Sequence, residues 1–367
     1  MAGDCIRQIP RWGFVLSLAA TILMMAAASA PSLFYPQIAE RLGLIPVATT
    51  LVFAVYTFTL LAALLYLGPL SDHVGRRPVV AAGSLALALS VAMFWFAGSL
   101  AALLVARALQ GLAAGLLIPA LSAMMIDFES PSHRNIAALW NTIGPMIGLG
   151  AGALGAALLL DLTSEPTTAV FGSLVLAFLI VATVVWSTPE LAPKTQIRRG
   201  DLRPRFTVPP HLRRMFTAGV PVIIAGWATN GLFLALGADL VGSELGGSTH
   251  TQAGIVIFAL AISGVTASSV LQRRSARTIS LYATSALAFG TAVSIGALAL
   301  GSYPAYVASV AIVGSGFGTA FLGVLRTLMP HTASSERAAV MAVIYTVAYL
   351  AFGVPTIVAV PGVMSNW

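Results

Sequence analysis

The residues best suited to chemistry in this sequence are few, and most sit at the ends of apolar runs. Gly68-Pro69-Leu70-Ser71-Asp72-His73-Val74-Gly75-Arg76-Arg77-Pro78 gathers a carboxylate, an imidazole and two guanidiniums in one short stretch. Asp72 can meet the positive end of a helix and pair with arginine, Gly75 permits a tight turn at positive φ, and Gly68 lets a neighbouring helix come close. Such charges form a latch that breaks when parts of the molecule move. Ordinary loop charge with a turn glycine would account for Arg76 and Arg77 alone, but not for the whole string. Asp127 and Arg134 stand at the ends of two consecutive apolar runs. Arg107 lies inside an apolar run, three residues before Gln110 and four before Gly111. A guanidinium there costs about 2.5–3.5 kcal/mol on insertion scales, so it faces protein or water, or snorkels to a surface one or two turns away. Gly144-Pro145 opens a glycine series continued by Gly148 and Gly152. Pro145 frees a carbonyl and kinks the helix. The glycines at four-residue spacing form a smooth face, expected to pack against the other half of the molecule.

Composition says what must position these residues. Of 367 residues, 19 are Lys or Arg and 12 are Asp or Glu, so only 8% are charged, while 58% are apolar. A soluble domain is about 25% charged. The mean hydropathy of +0.93 points to an integral membrane protein instead. The net charge of +7, which would suggest nucleic acid in a soluble protein, here reflects positively biased loops. The single lysine, Lys194, follows a proline, which excludes a phosphate-binding glycine loop and ATP-driven transport by this chain alone. The five histidines fall in loops without metal-ligand spacing, which excludes a membrane metalloprotease. No enzyme, cofactor or metal is expected, and the one cysteine, Cys5, allows no intrachain disulfide.

Apolar runs long enough to span a bilayer, about 20 residues each, fall near 12–37, 46–67, 79–98, 101–127, 134–160 and 168–187. Five more fall near 215–236, 252–271, 279–299, 303–329 and 337–360. With the N-terminus inside, 17 of the 19 basic residues lie on the inner side; Arg41 is outside and Arg107 is within a span. Residues 188–214 hold five prolines and seven basic residues, which makes them a cytoplasmic linker. The expected organisation is a bundle over 1–187, this linker, and a second bundle over 215–367. Sliding the chain by 203 residues supports a repeat: Arg11 falls on Arg214, Gly111 and Gly115 on Gly314 and Gly318, and Arg134 on Arg337. Parallel repeats of six helices are a transporter architecture, and by this count the second repeat lacks its last helix.

The string from Gly68 to Pro78 resembles the signature loop of the major facilitator superfamily, departing at His73 where that family has arginine. Leu103, Arg107, Gln110 and Gly111 resemble a second motif of the family, and residues 140–149 resemble its antiporter motif, with Trp140 and Leu149 replacing two glycines. The resemblance covers nearly the whole chain. It implies an all-α integral membrane fold of two pseudo-symmetric six-helix bundles, here with 11 spans. Asp72, Gly75, Arg76, Arg77, Asp127 and Arg134 would control a gate. Arg107, Gln110 and Gly111 would couple protons or sense substrate charge. Gly144, Pro145, Gly148 and Gly152 would serve export, although small-residue packing alone would produce much of that pattern. Helices 1, 4, 7 and 10 of this fold surround the path, with helices 2, 5, 8 and 11 beside them, so Tyr56, Asn141, Asn230, Tyr345 and Tyr349 are candidate cavity residues; a packed helix contact is the plainer account of each.

The function so implied is export of a small apolar or amphipathic drug or metabolite across the cytoplasmic membrane by a monomer, by alternating access and coupled to proton influx. No Asp or Glu lies mid-membrane, which is a gap in the proton argument. Two alternatives follow: an importer or facilitator of a small organic anion with Arg107 as counter-ion, and a truncated, non-transporting membrane protein.

Overall fold

A computed structural model describes residues 11–130, 136–191, 208–333 and 336–364; residues 11, 46, 47, 49, 50, 235–239, 337, 338 and 355–364 enter by their backbone only. Arg134 and most of the linker lie outside the described residues, as does the side chain of Arg337.

Helices account for every regular element among the described residues. They are α1 (Arg11–Ser29), α2 (Tyr35–Leu42), α3 (Pro46–Leu67), α4 (Leu70–Val74), α5 (Arg76–Trp95), α6 (Leu100–Asp127), α7 (Ile136–Leu162) and α8 (Ser173–Val184). After the linker come α9 (Arg213–Ser243), α10 (His250–Leu271), α11 (Ala276–Ala299), α12 (Tyr303–Leu328) and α13 (Arg337–Met364). Each expected apolar run falls on a helix. Nine stretches of the described residues are long and apolar enough to cross a membrane, and Leu51–Leu67 and Ala339–Val354 are shorter apolar helices.

Local chemistry sets the boundaries. Gly43, at φ 62°, closes α2 in a left-handed cap that few other residues accept. Pro46 opens α3, where its missing N–H costs nothing. Ser99 caps α6 by accepting the Ala102 N–H at 3.2 Å, and Ser275 does the same for α11 with Thr278 at 3.2 Å.

The 203-residue offset reappears in three dimensions. Displaced by it, α3, α5, α6 and α7 would fall at 249–270, 279–298, 303–330 and 339–365, close to α10, α11, α12 and α13. The matched glycines explain why these positions are alike. A Cβ on Gly111 would lie 2.4 Å from the Tyr56 carbonyl oxygen, and one on Gly115 would lie 2.6 Å from that of Leu60, so α6 meets the backbone of α3. A Cβ on Gly314 would lie 2.1 Å from the Leu260 oxygen, and one on Gly318 would lie 2.6 Å from that of Gly264, so α12 meets α10 likewise. Close crossings of this kind are how small residues hold helices together in lipid, where no hydrophobic effect does so.

One place breaks the correspondence. α8 packs on α5 and α1. The matching surface of α9 and α11 bears a groove of about 910 Å³, lined by residues such as Ala218, Val222, Ala225, Thr284, Ala288 and Ala292.

Candidate functional site

The turn between α4 and α5 builds a compact charge cluster around Arg76. Its Nε donates to Asp127 Oδ2 at 3.1 Å, from the end of α6, and its Nη1 donates to Ser71 Oγ at 2.8 Å and to the Asp72 carboxylate. The Arg76 side chain is only 13% exposed, against 57% for that of Asp72 and 27% for that of Asp127. One cation therefore ties two carboxylates from two helices, a use to which the planar fork of arginine is suited.

The sequence missed a member of this cluster. Glu190, at the far end of the first six apolar runs, accepts the backbone N–H of Arg76 and of Arg77, each at 3.0 Å. Those are orphan donors at the N-terminus of α5, and a carboxylate there also meets the helix dipole. The N-terminus of α5 is thus met by Glu190, while Asp72 sits in the first turn of α4 and pairs with Arg76. Gly75 is needed for the same contact: its φ is 109°, and a Cβ would stand 2.8 Å from Glu190 Oε2. Arg77 faces away, donating to the Trp186 carbonyl oxygen at 2.6 Å with its guanidinium 5.3 Å from that indole.

Arg107 does not snorkel. It is 1% exposed, and its guanidinium carbon lies 5.3, 5.4 and 5.0 Å from the rings of Tyr35, Tyr56 and Phe94. Nε donates to the Tyr35 hydroxyl and Nη1 to Gln110 Oε1, whose amide in turn donates to the Ala27 carbonyl oxygen at 2.8 Å. Nη2 has no partner, and no described carboxylate pairs with the group. Gly111 belongs to this motif for packing, through its contact with α3.

The glycine face of α7 requires a correction. A Cβ on Gly148 would lie 2.3 Å from the Ile22 carbonyl oxygen, and one on Gly152 would lie 2.4 Å from Ala26 Cα, so this face meets α1 within the same repeat. Gly144 is looser, with only Leu18 Cδ1 at 3.0 Å. Gly150, on the other side of the helix, faces the second repeat at Ala261 and Phe258 of α10. Spacing identified the shared face but not the neighbour it meets. Pro145 sits inside α7, between these contacts. Gly148→Ala should therefore lower the melting temperature of the purified protein by about 3 °C or more, because a methyl there is overpacked against backbone. Gly144→Ala should leave it within about 1 °C, since a side-chain end can turn away.

The cavity candidates divide. Trp227 of α9 forms the centre of an aromatic cluster, with ring centroids 4.9 Å from Tyr349 and 6.1 Å from Phe352; Tyr345 follows 6.3 Å from Tyr349. Tyr56 of α3 instead presents its ring to Arg107, 5.4 Å from the guanidinium carbon. Asn230, one turn beyond Trp227 and 5% exposed, leaves its Oδ1 without a partner, as does the Trp227 indole N–H. Asn141 stands apart, donating to the Ser122 carbonyl oxygen at 3.4 Å. Trp227 was not legible as a site residue, since a lone tryptophan in an apolar run gives no spacing signal.

The sequence profile described as the Major Facilitator Superfamily matches residues 16–355. This chain belongs to the major facilitator superfamily. It is a multi-pass membrane protein of a transporter family and not an enzyme. Its sequence is 32% identical to the puromycin resistance protein pur8 of Streptomyces alboniger, over 39% of this chain and 29% of that protein. It is 34% identical to the multidrug efflux pump LfrA of Mycolicibacterium smegmatis, over 37% of this chain and 29% of the pump. It is 31% identical to the multidrug resistance protein MdtL of Shewanella oneidensis, over 31% of each. The matched stretches thus span less than a third of these relatives. In fold the chain is similar to a bacterial homologue of the human lysosomal transporter Spinster in an inward-facing, occupied conformation. The TM-score is 0.71 at 14% identity, over 94% of this chain and 80% of the other.

Proposed function

We propose that this superfamily member exports a small apolar or amphipathic molecule across the cytoplasmic membrane by alternating access, coupled to proton influx. The observation that carries the reading is the Arg76 cluster, in which one guanidinium and the Glu190 carboxylate bind together the ends of α4, α5, α6 and the segment after α8. Networks of this kind fix the helix ends at one face of the molecule, and the Arg76 pairings to Asp72 and Asp127 are the ones that exchange as that face opens, while the Glu190 bonds can persist. The relatives named as resistance and efflux proteins support the direction.

In this reading there are eleven spans, with the N-terminus and the Arg76 cluster inside. Residues 1–187 and 215–367 are the two moving bundles and 188–214 is their cytoplasmic linker. The groove on α9 and α11 corresponds in place to the seat that α8 takes in the first bundle. The cluster around Trp227, with an unused donor and acceptor at Trp227 and Asn230, contacts substrate. Arg107, with Gln110, couples protons or senses the charge of the substrate. A second reading has a specific observation behind it: a buried guanidinium that pairs with no carboxylate among the described residues favours a small organic anion over a cation.

The test is accumulation of a fluorescent lipophilic cation and of a fluorescent organic anion in cells expressing the chain. Each is measured with and without a protonophore, beside Asp72→Asn at equal membrane abundance. Cation accumulation at least about threefold lower, restored by the protonophore and absent in Asp72→Asn, is the expected result. Protonophore-insensitive uptake of the anion would replace export with the second reading.

A further inference from the structure

The face of the molecule opposite the Arg76 cluster carries a junction that is built differently. Asp161, in the last turn of α7, accepts the backbone N–H of His250 at 3.1 Å and of Thr251 at 2.7 Å. It also accepts the Thr251 hydroxyl at 2.6 Å and His250 Nδ1–H at 2.8 Å. Four donors thus converge on one carboxylate, and all of them belong to the first two residues of α10. Within α10 itself, Gln252 Oε1 turns back to Ser248 N at 2.8 Å and Thr249 N at 3.4 Å, which leaves the His250 and Thr251 amides for Asp161. The far nitrogen of the same imidazole, Nε2, accepts from the Gln37 amide of α2 at 3.2 Å. One turn below, Ala157 of α7 lies directly against Gly254 of α10, where a Cβ would come within 2.5 Å.

This arrangement joins the two repeats. α2 and α7 precede the linker, and α10 follows it. On the opposite face, the same device, a carboxylate across two N-terminal amides, is used by Glu190 inside the first repeat. Both are favoured by the positive end of a helix. They differ in what must happen to them: halves that separate at the Asp161 face must strip four hydrogen bonds from Asp161, whereas Glu190 can stay bound throughout.

We infer that Asp161 is the residue that holds this face closed, by a junction between the two halves that the Arg76 cluster, internal to the first half, does not make. It rests on the alternating-access reading but not on direction, substrate or ion. Opening here needs the Asp161 bonds broken, so their strength sets the balance between the two access states. Asparagine has one carbonyl oxygen and an amide that donates, so Asp161→Asn cannot accept all four donors.

The experiment measures distances between spin labels in the full chain, reconstituted in lipid, with Cys5 replaced by serine. One label pair, Phe96→Cys with Leu300→Cys, reports the Asp161 face; both sites are more than 70% exposed, at 76% and 82%. A second pair, Tyr66→Cys with Val270→Cys, reports the Arg76 face from sites 54% and 69% exposed. Asp161→Asn is expected to raise the long-distance population of the first pair at least about tenfold and to shorten the second. Thr251→Val, which removes one of the four bonds, should move both in the same senses by less. Unchanged distributions in Asp161→Asn, or lengthening at both faces, would overturn the assignment, the latter because general loosening is what a merely structural residue produces. Opposed movement in a protein that transports none of the probes would uphold Asp161 and leave the transport reading to fail by itself.

Discussion

Arg76→Lys should reduce the initial rate of transport at least about tenfold, at a membrane abundance within twofold of the parent. The charge survives this change, so the expected loss comes from geometry. A guanidinium sends Nε to Asp127 and Nη1 to Ser71 and Asp72 at once, and a single ammonium at the end of a flexible stem cannot match that fork. Exposed ion pairs are worth only about 0–1 kcal/mol each, but this side chain is 13% exposed and serves two carboxylates, so the network exceeds a surface pair. Tenfold corresponds to about 1.4 kcal/mol, well within what loss of one charge-assisted bond supplies. Arg77→Lys is the internal comparison. Arg77 bonds a carbonyl and covers an indole, so it should lose no more than about twofold. Initial rates in proteoliposomes, normalised to protein, decide the matter. Equal effects at Arg76 and Arg77 would mean that loop charge alone matters.

How much of this was readable beforehand follows from how far apart the partners lie. The signature loop was legible because its members are contiguous, and the turn at Gly75 imposes its own residue type. The repeat was legible because glycines at helix crossings are enforced by backbone contact, which leaves Gly111, Gly115, Gly314 and Gly318 at matching places. Glu190 was not, because the amides it caps lie 114 and 113 residues earlier and it stands at the edge of a proline-rich linker. Asp161 was not legible either, because its donors are 89 and 90 residues away. The glycine series on α7 shows the limit of periodicity most directly. Four-residue spacing says that Gly144, Gly148 and Gly152 share a face, but whether α1 or α10 lies opposite depends on tertiary packing. The rings around Arg107 were hidden in the same way: Tyr35 and Phe94 come from α2 and α5, and each alone is an ordinary apolar contact.

Arg107→Gln should abolish proton-driven transport, by about a hundredfold or more, while moving the melting temperature by only about 3 °C in either direction. Two large terms oppose each other at this residue. Burying a cation costs several kcal/mol, and here an unpartnered Nη2 adds the cost of an orphan donor. Against that stand three aromatic faces, each worth about 0.5–2 kcal/mol, and two bonds from a charged donor, each about 1.5–3 kcal/mol. The sums are comparable, so removing the charge removes both and leaves stability almost where it was. The glutamine amide can still reach a neutral neighbour, so Tyr35 and Gln110 need not both be stranded. With a net contribution to stability near zero, the expected loss of transport comes from the charge itself and not from a loosened fold. Substrate exchange at zero proton gradient separates the two roles left to it. Exchange preserved in Arg107→Gln while gradient-driven transport is lost would assign Arg107 to coupling. Loss of exchange as well would make it part of substrate binding and strengthen the organic-anion reading. A fall in melting temperature beyond about 10 °C would instead make the cation a structural tie between α2, α3, α5 and α6, and the balance argued here would be wrong.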